Sequence, residues 1–169
     1  MCILMPHVKP EFETSARLIV IGVGGSGQNA VDHMIRAKVR GVDFISENTD
    51  AQDLHHSLAP KKLHIGRNIT RGLGSGMNPD LGKQAAEESK REIEEILRGA
   101  DLVFVTCGFG GGTGTGAGPA VAEIAKNQGS LTIAIVTRPF SFEGETRRRI
   151  VEEGLVRLRK AVDAMIIIP

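Results

Sequence analysis

The segment GFGGGTGTGAGP at residues 108–119 places seven glycines in twelve positions, directly after the apolar run LVFVTC at 102–107. A run rich in β-branched and aromatic residues that passes at once into bare backbone predicts a strand ending in a turn. The residues beyond it, PAVAEIAKN, have the apolar spacing of a helix. Strand, glycine turn and helix in that order bring free amides and the positive end of a helix dipole to one point, where no Cβ blocks an anion. The hydroxyls of Thr113 and Thr115 add donors to this second glycine turn. A flexible linker is the competing reading, and the strand and amphipathic helix on either side argue against it.

Outward from this segment, strand-length apolar runs recur at 17–22, 42–46, 62–65, 131–136 and 164–168. Helical stripes lie between them: Ala30, Val31, Met34 and Ile35; Leu81, Ala85, Ser89, Ile93 and Ile96; Ala120, Val121, Ile124 and Ala125; Ile150, Leu155, Leu158 and Val162. Asn78 before Pro79 predicts a helix over 79–98, with Gly99 at its end. Continuously apolar strands separated by helices imply an α/β domain with a doubly wound, mainly parallel Rossmann-like sheet covered on both faces. In such sheets ligands bind beyond the carboxyl ends of the strands, where the strand order reverses.

The first strand also runs into glycines. In GVGGSGQNAV, Gly22, Gly24 and Gly27 satisfy G-x-G-x-x-G, with a helix following. Alone this motif reads as a dinucleotide fold, and Glu47, twenty residues after Gly27, falls where a ribose-binding acid is expected. A pyrophosphate needs one such turn, however, and this chain has two that converge on one ligand, which favours a longer phosphate chain. The P-loop pattern with its lysine is absent, so charge must be neutralised by amides, dipoles and an expected Mg²⁺.

Composition narrows the alternatives. Glycine accounts for 21 of 169 residues, against a usual share of about 7%, and there is neither Trp nor Tyr. A net charge of +1 gives no field for nucleic acid or an anionic membrane surface. Cys2 and Cys107 form no C-x-x-C, the five histidines fall in no metal-binding spacing, and Cys107 at a strand end reads as a buried, inert thiol. No apolar run reaches the ~18 residues of a membrane span, so a cytoplasmic protein is expected.

Several segments in order carry a specific resemblance: GVGGSGQNAV, NTDAQ at 48–52, TRGLGSGMNP at 70–79, GGGTGTG at 110–116 and VTRPFSFEG at 136–144. From about residue 17 to 169 the chain resembles the FtsZ branch of the tubulin and FtsZ superfamily of GTPases. The resemblance implies GTP or GDP as ligand. Gly24, Gly25, Ser26, Gly27, Gln28 and Asn29 match the first phosphate turn; Asn48, Thr49 and Asp50 match the loop after the second strand. Gly74 falls in a mobile loop at 72–76 near the terminal phosphate. Gly110, Gly111, Gly112, Thr113, Gly114, Thr115 and Gly116 match the second turn, while Pro139, Glu143 and Arg147 complete the site, the last two at the ribose.

The same resemblance implies a protein of bacterial cell division that polymerises head to tail with its own kind or full-length FtsZ-type subunits and meets other division proteins at midcell. No catalytic residue is expected within this chain, because the family's water-positioning acids lie on the next subunit. Residues 1–15 read as a loose extension and 16–169 as a GTP-binding domain truncated before the central helix and second domain. Ser26, Gln28 and Glu47 depart from the family pattern, Gln28 where it would crowd the phosphates and Glu47 where it would alter affinity. An NAD-dependent oxidoreductase and a non-catalytic nucleotide-binding module remain the alternatives.

Overall fold

The computed structural model describes residues 16–139 and 145–168. Six strands, β1 (Leu18–Val23), β2 (Asp43–Asn48), β3 (Lys61–His64), β4 (Leu102–Gly108), β5 (Leu131–Thr137) and β6 (Ala164–Ile168), form one sheet in the order β3-β2-β1-β4-β5-β6. Every pairing is parallel. The order reverses between β1 and β4, so the two strands that end in glycine turns lie side by side, Val23 paired with Cys107.

Strand alternation sorts the side chains into two layers. Ile19, Ile21 and Val23, with Ile45, Val103, Val105, Ala134 and Val136, join the larger core. It is covered by α4 (Pro79–Glu88), α5 (Lys90–Leu97), α6 (Thr113–Asn127) and α7 (Glu145–Ala161). On the other face Val20 and Phe44 pack against Val31, Met34 and Ile35 of α1 (Gly24–Arg36). Two short helices, α2 (Ala51–His56) and α3 (Arg67–Thr70), lie on either side of β3 in sequence. Ile166 and Ile168 of β6 point away from the larger core and are exposed.

The expected helix over 79–98 is two helices. Asn78 caps the first as expected, its Oδ1 accepting from the amides of Asp80 and Leu81. At Ser89 the backbone leaves helical geometry (φ −96°, ψ 16°), and its buried hydroxyl accepts a bond from the Gly66 amide at 3.1 Å. A residue that favours local backbone bonds is thus recruited by a distant loop, and the helix breaks there.

Candidate phosphate-binding cleft

Where β1 and β4 end, the chain enters α1 and α6 with almost no intervening loop. Each helix begins on a residue that supplies no side-chain cap, Val23 for α1 and Gly112 for α6. In contrast, Asp50 caps α2 and Asn78 caps α4. First-turn amides without a cap are free donors with a helix dipole behind them, and both sets open on one cleft of about 610 Å³.

Gly24, Gly25 and Ser26 form one wall of this cleft, and Gly110 to Gly114 form the opposite one. Gly24 sits at φ +72°, a conformation that costs other residues energy. Gly112 is different. Its backbone is right-handed (φ −82°), so the requirement is space: a Cβ there would lie 2.4 Å from the Gly76 carbonyl oxygen and 2.4 Å from Ser75 Oγ. The loop at 73–77 closes the third side. It is tied down by Gly112 N–H to Gly76 O at 2.9 Å and Ala51 N–H to Gly72 O at 3.1 Å.

Asn48, Asp50, Gly74, Pro139 and Arg147 also line the cleft, together with Asp53, Ser75 and Arg138. Those last three escaped the sequence reading. Asp53 was legible in principle, as it stands one helical turn beyond Asp50, and Ser75 is the polar member of the glycine-rich 72–76 segment. Asp50 serves twice, lining the cleft while its Oδ1 accepts from the amides of Gln52 and Asp53. Glu143 lies outside the described residues.

Six expected site residues do not line the cleft, one of them, Thr49, being fully buried. Gly27 packs so closely on β4 that a Cβ would meet the Thr106 carbonyl oxygen at 2.3 Å. Gln28 does not crowd the phosphates; it is buried and turns away, donating Nε2 to the Asp53 carbonyl at 2.8 Å. Asn29, on the following helical position, is exposed to solvent. Thr115 is fully buried and accepts the Gly110 amide at 3.0 Å. Gly116 belongs to helix packing, because a Cβ would stand 1.9 Å from the Pro79 carbonyl oxygen.

Glu47 is not at the ligand's edge either. Paired between Val23 and Leu63, it is completely buried, and neither carboxylate oxygen has a hydrogen-bond partner among the described residues. Burial pushes its carboxyl from the ordinary 4.5 up to about 8. A ribose-binding acid would have to face the cleft, so the dinucleotide reading loses its second element. Cys107 is buried as expected, with its thiol pushed up to about 12, and no metal-binding cluster of His, Cys, Asp and Glu occurs among the described residues.

An all-parallel switch-point cleft with two uncapped helix ends and two glycine walls defines an α/β domain whose strand ends have the geometry of an anion site. The chain belongs to the family described as "Tubulin/FtsZ family, GTPase domain", whose model matches residues 17–169. It is 52% identical over 159 residues to "Cell division protein FtsZ" of Buchnera aphidicola, covering 94% of this chain and 41% of that protein. It is 54% identical over 157 residues to "Cell division protein FtsZ 1" of Thermococcus kodakarensis, covering 93% of this chain and 42% of that one. Among solved structures, an empty FtsZ dimer from M. jannaschii superposes with a TM-score of 0.91 at 46% identity, covering 93% of this chain and 46% of that chain. The chain therefore spans about two-fifths of the length of these curated relatives.

Proposed function

We propose that this chain is the nucleotide-binding half of an FtsZ-type GTPase of cell division, binding GTP or GDP with Mg²⁺ and completing its hydrolytic site with a second subunit docked head to tail. The observation that carries the reading is the pair of uncapped helix ends, α1 and α6, facing one cleft. Amides of Gly24 to Ser26 and of Gly111, Thr113 and Gly114 hold the phosphates, and Arg147, which lines the same cleft, contributes positive charge. The carboxylates of Asp50 and Asp53 are hard oxygen donors suited to Mg²⁺. The ion would neutralise phosphate charge there.

Hydrolysis further requires an oriented water. Asp50 caps α2 and Asp53 accepts from Asn48 Nδ2 at 2.8 Å, and the proposal assigns their remaining lone pairs to the ion and the orientation of the water to the second subunit. The relatives' names support a role in division and the solved dimer of the M. jannaschii protein supports self-association; the proposal adds head-to-tail assembly, a cytoplasmic location at the division site and other division proteins as further partners. Among the described residues no helix is long and apolar enough to cross a membrane.

The test is a mixing experiment. Alone, the chain should bind Mg·GTP and turn it over negligibly. Adding a complete FtsZ-type subunit whose own nucleotide site has been disabled should restore hydrolysis, since its far face can dock on this cleft. Robust turnover by the chain alone at high dilution would contradict the shared site.

A further inference from the structure

The floor of the cleft contains a chain of three hydroxyl groups. Thr49 Oγ1 lies 2.7 Å from Thr113 Oγ1, which lies 2.7 Å from Ser75 Oγ. All three side chains are buried: Thr49 has no exposure, while Ser75 and Thr113 line the cleft. The chain links the end of β2, the start of α6 and the 73–77 loop.

Counting protons gives this chain a direction. Three hydroxyls hold three protons, and the two contacts use two of them. No further acceptor takes a bond from any of the three among the described residues. If Ser75 donated to Thr113 and Thr113 to Thr49, the third proton would be left on fully buried Thr49 with nothing to receive it, which is costly. Two arrangements leave no buried orphan, and Thr49 donates to Thr113 in both: in one Thr113 donates to Ser75, whose spare proton sits at the cleft wall, and in the other Ser75 also donates to Thr113, whose own proton then faces the cleft. Successive donors in one direction also polarise one another.

We propose that the Ser75 hydroxyl donates a hydrogen bond to a phosphate oxygen of the bound nucleotide, and that Thr49 is a positioning residue that aims it through Thr113. The inference rests on the nucleotide reading of the cleft. It adds a donor from the 73–77 loop to the amides of the two glycine turns, one whose proton is left for an acceptor in the cleft.

Calorimetric titration with Mg·GTP tests it on the wild type, Ser75→Ala, Thr49→Val, Thr49→Ser and the double variant Ser75→Ala/Thr49→Val. Loss of a bond to a charged oxygen should weaken Ser75→Ala roughly tenfold or more. Thr49→Val removes the directing donor and should weaken binding by a smaller factor, on the order of threefold, because the Ser75 proton then points to Thr113 part of the time. Thr49→Ser should bind as wild type, and the double variant no more weakly than Ser75→Ala, as members of one chain are not additive. Ser75→Ala trims a single hydroxyl and reports even where valine at the buried position disturbs folding. Wild-type affinity in Ser75→Ala, or additive losses in the double variant, would overturn the proposal while leaving the cleft's assignment intact. Failure of the wild type to bind GTP would overturn both.

Discussion

Glu47→Val should stabilise the chain by several kcal/mol at pH 8, and the gain should shrink as the pH falls. In the folded protein the carboxyl titrates near 8, against an ordinary 4.5. Between those values the folded state keeps a proton that the unfolded state has lost, so stability must fall with rising pH. The loss begins near pH 4.5, accumulates to about 5 kcal/mol near pH 8 and is flat above it. Below pH 4.5 both states are protonated and only the smaller cost of an unpaired neutral carboxyl remains. Among the described residues no cation offsets this: on the neighbouring strand Lys61 pairs with Asp43, and Lys62 donates to the His55 carbonyl. Valine suits a buried strand position and carries no charge. Urea denaturation from pH 5 to 9 should show a falling profile for the wild type and a markedly flatter one for the variant. Parallel profiles would mean that water or a partner group solvates Glu47.

Gly112→Ala should weaken nucleotide binding about a hundredfold, from strain of up to about 3 kcal/mol in a site with no spare room. The added methyl would collide with the Gly76 carbonyl oxygen and Ser75 Oγ, each at 2.4 Å, and lie 2.9 Å from the Asn78 carbonyl oxygen. Relief requires the 73–77 loop to move outward, which breaks the 2.9 Å bond from Gly112 N–H to Gly76 O and separates Ser75 from Thr113. The contact lies at the cleft, away from the buried strands, so circular dichroism should still show a folded chain. An unchanged dissociation constant would remove this turn from the ligand's contacts.

The sheet was legible because parallel strands buried on both faces must be continuously apolar, and RLIVIG, LVFVTC and LTIAIV are. The convergence of the two glycine turns followed from the switch point between β1 and β4. Helix phase was the overlooked signal at Thr115. Two residues on a helix turn by about 200°, so Thr113 and Thr115 cannot both face the cleft, and the second caps Gly110 inside. Gln28 likewise lies a turn into α1, on its buried side, and faces Asp53. Strand parity explains Glu47: it shares a face with buried Ile45 under the larger core, a fact that spacing from Gly27 does not contain. The break at Ser89 was not legible locally, because its cause is an amide twenty-three residues away in sequence.

Of the account's claims, the central one is that two glycine turns at the switch point hold a nucleoside triphosphate and not a dinucleotide. Titrating the chain with GTP and with NAD⁺, both in the presence of Mg²⁺, tests it directly. The account predicts saturable binding of GTP at one site, competed by GDP, and no measurable binding of NAD⁺. Tight binding of NAD⁺ with none of GTP would contradict it.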